Sequence, residues 1–220
     1  MIAGVASPAF RLLLVLLSCL SLQACETAYY GAMEKVGVHK RDIMTDRIEE
    51  ARDAQEEAKQ EFRSALERFS TELGFDGGDL EDKYETLNDA FESSESQAQA
   101  VSDRIDAVES VAEALFDEWD AELADYSNDR LRRESQSQLR QTKQRYQRML
   151  SAMHSAEKRM GPVLDTFRDQ VLYLKHNLNA RAVASLKGEF RAIDADIKAL
   201  IKKMQKAISE SDMFIEQLRG

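Results

Sequence analysis

The chain has 220 residues, and its 30 Lys and Arg residues against 40 Asp and Glu residues leave a net charge of -10. This acidic balance argues against general binding to nucleic acids, whose phosphates attract basic surfaces. With 43% hydrophobic residues and only two Pro, the composition favours long helices over a disordered chain.

The first 24 residues have the features of a lipoprotein signal peptide. Arg11 precedes the apolar run 12–20, which is too short to span a bilayer. The run is followed by Leu22-Gln23-Ala24-Cys25, which resembles the lipobox of bacterial lipoproteins. We therefore predict cleavage before Cys25 and a covalent lipid on this residue that holds the mature chain on a membrane.

The residue after the cysteine indicates which membrane that is. Glu26 follows Cys25, whereas Asp at this position is typical of lipoproteins retained in the inner membrane. We expect the periplasmic face of the outer membrane, with the inner membrane as the alternative. Gln23 stands where a lipobox usually has a small residue, so an ordinary signal peptide followed by a chance cysteine is the other interpretation.

Residues 25–39 are predicted to form a tether between the lipid and the folded part of the chain. Gly31 and Gly37 favour flexibility there. Tyr29 and Tyr30 lie four and five residues from Cys25, where aromatic rings with polar tips suit the level of the lipid headgroups. A first helical turn packed on the end of the folded domain explains the same residues equally well.

Residues 80–126 carry the clearest pattern in the chain. Alternating steps of four and three residues land on apolar side chains at twelve of fourteen positions, and neither Pro nor Gly interrupts the run. A repeat of 3.5 residues over six heptads predicts a helix roughly 70 Å long with a narrow apolar seam. The seam consists of Leu80, Tyr84, Leu87, Phe91, Ser94, Ala98, Val101, Ile105, Val108, Ala112, Leu115, Trp119, Glu122 and Tyr126.

Similar stripes predict three further helices, at about 40–73, 130–178 and 185–218. The third of the four helices contains Gly161 and Pro162, where the apolar repeat slips and a kink is expected. We predict an all-α fold in which residues 40–220 form one elongated antiparallel bundle of four long helices with coiled-coil character.

Charge predicts which helices are neighbours. Residues 76–125 contain 17 acidic and 2 basic side chains, whereas residues 126–160 contain 9 basic and 3 acidic ones. Two helices of opposite sign joined by a short turn should fold back on each other, with opposed residue numbers adding to about 255. The predicted pairs are Asp125 with Arg130, Glu122 with Arg133, Glu113 with Lys143, Glu109 with Arg145 and Asp106 with Arg148.

Three arginines at this turn have a second interpretation. The second helix is expected to be longer than the first by about a dozen residues, or about 18 Å, so its turn would project from the bundle. Arg130, Arg132 and Arg133 would then form a surface for anionic lipid or an acidic partner. Neutralisation by the acidic helix next to them is the competing explanation.

Signatures of catalysis are missing. The sequence has no phosphate-binding glycine loop, no serine-elbow motif and no His-Glu-x-x-His run. His39, His154 and His176 are far apart, and none stands three residues after a Glu, as di-iron bundles require. We expect no enzymatic activity, no small-molecule substrate, no metal and no cofactor apart from the lipid on Cys25.

Three segments resemble a family of uncharacterised Gram-negative lipoproteins that is classified as a domain of unknown function. They are Tyr29-Tyr30-Gly31-Ala32-Met33-Glu34-Lys35-Val36-Gly37, Phe116-Asp117-Glu118-Trp119 with Tyr126-Ser127-Asn128, and Leu174-Lys175-His176-Asn177-Leu178-Asn179-Ala180. The resemblance implies a lipid anchor and a helical domain over nearly the whole mature chain, and it assigns no catalytic residue.

The leading hypothesis is a structural or adaptor protein of the cell envelope. Its partners would be the membrane, through the lipid, and either an envelope protein or further copies of the chain. A second hypothesis is a bundle that binds lipid or another apolar ligand in a groove beside Met160 and Phe167, near the expected kink. A third is remodelling of a membrane surface through the arginines at 130, 132 and 133.

Overall fold

The computed structural model describes residues 29–30, 33, 37–74, 79–177 and 179–219, without the side chains of 73–74, 180–184, 188–190 and 192. Four long helices follow in order: α1 (Lys40–Gly74), α2 (Leu80–Glu122), α3 (Asp129–His176) and α4 (Ala180–Arg219). A short 3-10 helix, Leu123–Asp125, extends α2. The predicted signal peptide and Cys25 lie outside the described residues.

The helices form one antiparallel four-helix bundle. Each helix packs against the next along the chain, and α4 packs back against α1, which closes the ring. At 1.5 Å per residue the 43 residues of α2 and the 48 of α3 span roughly 65 and 70 Å. The predicted all-α, elongated architecture and the antiparallel pairing of α2 with α3 are therefore confirmed.

The apolar seams face one another along the whole bundle. Phe69 of α1 stacks on Phe167 of α3 across the interior, with ring centroids 4.8 Å apart. The largest fully buried side chains are Phe62, Phe69, Phe167, Met44, Ile48, Leu87, Ile105, Met149, Met153, Leu174, Ile193 and Ile197. This continuous core explains how the helices stay associated over a length that helix propensity alone would not support.

The helices α2 and α3 each begin with a side-chain N-cap. The carboxylate of Asp79 accepts a hydrogen bond from the backbone N–H of Glu81 at the start of α2. At the start of α3 the side chain of Asn128 accepts hydrogen bonds from the N–H groups of Arg130 and Leu131. These residues satisfy amides that have no partner inside the helix, so each turn directs the chain into the next helix.

One predicted helix boundary differs from the structure, and α3 runs through Pro162 as one helix, as predicted. The helix α4 begins at Ala180 rather than near 185, because the turn after α3 is closed by Asn179 N–H donating to the carbonyl of Asn177 over 2.7 Å. The helix α3 is not divided at Pro162. Pro162 is exposed, and its carbonyl accepts a hydrogen bond from the Thr166 hydroxyl, so its ring points away from the core.

Charge divides the bundle into two halves. The helices α1 and α2 carry 24 acidic and 9 basic side chains, whereas α3 and α4 carry 19 basic and 11 acidic ones. Because α1 and α2 are neighbours in the ring and so are α3 and α4, one long side of the bundle is acidic and the opposite side is basic.

Candidate interaction sites on the bundle

The two tyrosines at the start of the described chain have different environments. Tyr29 is 45% exposed, whereas Tyr30 is only 6% exposed and belongs to the main hydrophobic core. The hydroxyl oxygen of Tyr30 lies 3.0 Å from Oγ of Ser110, in the C-terminal third of α2. Tyr30 therefore anchors the N-terminal segment on the bundle instead of lying free for a membrane surface.

Contacts with α1 show which side of the bundle this segment occupies. Arg47 donates to Glu50, and this hydrogen bond is the main cause of the raised pKa of Arg47, to which the nearby Tyr29 and Tyr30 also contribute. Arg104 of α2 binds the same Glu50 carboxylate at 2.9 Å. The segment thus lies over the seam between α1 and α2, on the acidic side of the bundle.

The chain turns into α1 through a left-handed glycine. Gly37 has a φ of +88°, a conformation that glycine adopts without a steric penalty, and the Val38 N–H donates to the carbonyl of Met33 over 3.0 Å. Met33 and Val38 are half-buried against the core. Of the predicted tether, Tyr30, Met33 and Val38 are packed on the bundle, which agrees with the alternative interpretation of a packed first turn for this part of it.

The three arginines of the α2–α3 turn are exposed as predicted. Arg130 lies 3.3 Å from Glu134, and Arg132 lies 2.9 Å from Asp129, so two of the three are partly neutralised within their own helix. Arg133 makes no ion pair with a described side chain. The turn also exposes Leu131, at 42%, which adds an apolar element to this basic surface.

The turn projects less than expected. The first residue of α1, Lys40, forms an ion pair of 2.9 Å with Glu118, so α2 and the 3-10 helix after it extend past the start of α1 by seven residues, or about 12 Å. The predicted overhang of about 18 Å is therefore wrong. The difference arises because α1 reaches up to the last turn of α2.

None of the five predicted ion pairs between α2 and α3 forms, although all ten residues are described. Glu109 instead lies 3.3 Å from the imidazole of His154. Phe116 packs edge-to-face on Tyr146 at 5.3 Å, and the residue numbers of both contacts add to more than the predicted 255, although Trp119 and Ser135, nearer the turn, fit the predicted sum. Packing of the core determines the register, since each exposed ion pair contributes too little to override it.

A cavity of about 600 Å³ opens at the end of the bundle where this turn lies. All four helices contribute to it, and its lining combines apolar, amide and charged groups. The indole N–H of Trp119 donates to Oγ of Ser135 over 2.9 Å, which fixes the ring at the mouth of the cavity. The lining residues are Arg41, Leu115, Glu118, Trp119, Glu122, Gln138, Gln141, Thr142, Arg145, Gln217 and Leu218.

This cavity is not the groove that the sequence suggested. Met160 and Phe167, predicted to flank a ligand groove, are 2% and 0% exposed. The end cavity lies about eighteen residues of α3 away from Met160, or roughly 27 Å. One feature of the sequence could have indicated the cavity. Near the C-terminal end of the α2 seam, Glu122 occupies a position that is otherwise apolar, and it is exposed.

A comparison with models of protein families identifies a family that matches this chain. The model of a family described as "Protein of unknown function (DUF2959)" matches residues 29–218. The chain belongs to the DUF2959 family. No curated protein matches the sequence.

The match spans the features described above. It begins at Tyr29, directly before the buried Tyr30, and ends at Leu218, which lines the end cavity. The docked N-terminal segment is therefore part of the DUF2959 domain and not an addition to it.

The described part of this DUF2959 chain lacks two features that would indicate other kinds of function. No described helix is both long enough and apolar enough to cross a membrane. In the same residues there is no group of three or more His, Cys, Asp or Glu side chains suited to a metal ion.

One buried polar residue of α1 has no partner that the structure describes. Gln55 is fully buried, and neither its amide nitrogen nor its amide oxygen has a hydrogen-bond partner among the described residues. Gln170 of α3 is in the same situation at 5% exposure. Gln55 lies on the same face of α1 as the buried Ala51 and Ala58, but a sequence cannot show whether a buried amide finds a partner.

Proposed function

We propose that this DUF2959 protein is a lipid-anchored helical rod of the cell envelope, held by Cys25 on the periplasmic face of the outer membrane. Its role is structural or that of an adaptor, and it carries no enzymatic activity. The inner membrane is the alternative location. The signal-peptide pattern before Cys25 and the long, two-sided bundle support this proposal.

The burial of Tyr30 is the main observation in support of this proposal. Cys25 precedes Tyr29 by four residues, which span at most about 14 Å in any conformation. Tyr30 lies beside Ser110, twelve residues or about 18 Å before the end of α2 and thirty residues or about 45 Å from its start. A lipid on Cys25 would consequently attach to the side of the rod in the part nearer the α2–α3 turn, and it could not reach the opposite end.

This geometry gives the rod a defined orientation. The N-terminal segment lies over the seam of α1 and α2, so that side would face the membrane. The helices α3 and α4, which carry the excess of basic side chains, would face the periplasm. A rod that presents one fixed, charged side is suited to organising envelope proteins along the surface, which is the adaptor role proposed here.

The two cysteines of the chain allow a matched test. Cys25→Ser should abolish lipid attachment and release the protein from isolated outer membranes, whereas Cys19→Ser, within the predicted signal peptide, should leave both unchanged. Crosslinking in intact cells with the lipidated protein should then capture envelope proteins or further copies of the chain. Outer-membrane attachment that survives Cys25→Ser, or capture that is identical with and without the anchor, would refute the proposal.

The end cavity supports a second candidate, the binding of an apolar or lipid ligand. Leu115, Trp119 and Leu218 give the cavity an apolar wall, and its volume falls in the usual range for ligand sites. Trp119 is the single tryptophan of the chain, so its fluorescence reports on occupancy directly. Copurified lipid together with a change in this fluorescence on delipidation would favour ligand binding over a purely structural role.

A third candidate is contact of the turn arginines with the membrane. The exposed Leu131 beside Arg130 and Arg132 is the observation that favours it, because an apolar side chain next to cations suits an anionic interface. Protein carrying Cys25→Ser should then bind phosphatidylglycerol vesicles, and replacement of Arg130, Arg132 and Arg133 by Gln should abolish this binding. Equal binding by both proteins would eliminate this candidate.

A further inference from the structure

A groove of about 420 Å³ runs between α3 and α4, on the side of the bundle opposite the N-terminal segment. Its floor is made of small residues, including Ser151, Ala152 and Ser155 of α3. Three cationic side chains, Arg148 of α3 and Lys203 and Lys206 of α4, stand around it. One carboxylate, that of Glu210, and the amide of Gln147 complete the lining.

The three cations do not form ion pairs with any described side chain. Other basic residues of this half of the bundle do form such pairs, for example Arg159 with Asp196 at 2.7 Å and Lys198 with Asp194 at 2.8 Å. Arg148 was predicted to bind Asp106 of α2, but it faces α4 instead. The groove is thus a cluster of positive charge that the rest of the protein leaves largely uncompensated.

Clustering of positive charge in the groove destabilises the folded protein when no anion is bound. Lys203 and Lys206 are three residues apart on one helix face, a spacing at which like charges destabilise a helix. Arg148 stands on the other wall of the same groove and adds to the repulsion. An anion between the two helices would relieve this repulsion and would stabilise the folded protein in proportion to its occupancy.

We infer that this groove binds a phosphate-bearing ligand. A guanidinium group donates to two phosphate oxygens at once, an ammonium group adds a mobile point charge, and the hydroxyls of Ser151 and Ser155 add neutral donors. With three cations against Glu210 the site has an excess of two positive charges, which matches a phosphate or diphosphate better than a single carboxylate. The ligand would approach from the side of the rod away from the lipid anchor.

This inference goes beyond the proposed anchoring role and does not depend on it. Inorganic pyrophosphate represents a free phosphate ligand, and short-chain phosphatidylglycerol represents a lipid headgroup. Full-length protein in detergent is titrated with each at constant ionic strength, with short-chain phosphatidylcholine as the neutral control. We expect saturable binding and a rise in the thermal midpoint for at least one anionic probe. The probe that saturates at the lower concentration identifies the source of the phosphate.

The chain supplies a matched control for the cations. Lys202 is exposed, immediately precedes Lys203 and does not line the groove. Lys203→Gln and Arg148→Gln should each weaken binding about tenfold, while Lys202→Gln should leave it unchanged. Loss of binding that is equal in Lys202→Gln and Lys203→Gln would overturn the inference, as would the absence of saturable binding for both anionic probes.

Discussion

The hydroxyl of Tyr30 and Oγ of Ser110 lie 3.0 Å apart, although eighty residues separate them in the chain. This contact joins the segment that follows the predicted lipidation site to the C-terminal third of α2. Tyr30 is also buried among core residues, so the contact is part of the packing of the bundle and not a surface attachment. It makes the position of the anchor along the rod a property of the fold.

Substitution of Tyr30 should release the docked segment. A large aromatic side chain lost from a core typically destabilises by about 3 kcal/mol, so Tyr30→Ala should expose the Val38 amide, which now donates to Met33. Hydrogen exchange at Val38 should accelerate in Tyr30→Ala, while exchange in the middle of α3 should change little. Tyr29→Ala, at a residue that is 45% exposed, serves as the control. Equal exchange rates in the two variants would show that Tyr30 does not hold the segment.

The stability of the bundle should fall as the pH rises past about 6.5, through His154. Burial lowers the pKa of His154, but hydrogen bonds to Glu157 at 2.8 Å and to Glu109 outweigh it, so the net shift is upward. A raised folded-state pKa stabilises the protein fully below the unfolded value, near 6.5, and this contribution is lost as the pH rises through the folded value.

The measurement is the free energy of unfolding at pH 6 and pH 8. Between pH 6 and pH 8 the unsubstituted protein should lose more stability than the His154→Gln variant. The difference between the two losses should be less than about 1 kcal/mol, because the imidazole is partly exposed. His39→Gln, at an exposed residue before α1, is the control and should follow the unsubstituted protein. A pH dependence that is the same in His154→Gln would assign the effect to other groups.

Replacement of Gln55 by Met should stabilise the bundle. Gln55 is fully buried with both amide atoms unpartnered among the described residues, and an apolar side chain of similar length removes that desolvation penalty. We expect the free energy of unfolding to rise by about 1–2 kcal/mol. Gln60→Met, one and a half turns along the exposed face of α1, should have little effect. Destabilisation by Gln55→Met would indicate that the amide has a role that the packing does not reveal.

The fold could be predicted from the sequence to the extent that it depends on periodic burial. The seam of α2 from Leu87 to Val108 and the opposite charges of α2 and α3 both led to the observed antiparallel pairing. The individual ion pairs could not be predicted, because contacts such as Phe116 with Tyr146 determine the register and a sequence does not show how two rings pack.

The interaction sites were less accessible to prediction. The glycines around Tyr30 indicated a flexible tether, but Gly37 instead provides the left-handed residue that turns the segment into α1. The basic groove combines Arg148 of α3 with Lys203 and Lys206 of α4. More than fifty residues separate Arg148 from the two lysines, so their proximity depends on the pairing of α3 with α4. Only the exposure of Arg130, Arg132 and Arg133 followed directly from their place at a turn.

The mass of the N-terminal peptide of the protein extracted from outer membranes tests the central claim most directly. If the rod is held by a lipid beside Tyr30, that peptide should begin at Cys25 and carry a diacylglyceryl group and an amide-linked acyl chain on this residue. An unmodified N-terminus, or a peptide that retains residues of the 1–24 segment, would contradict the account.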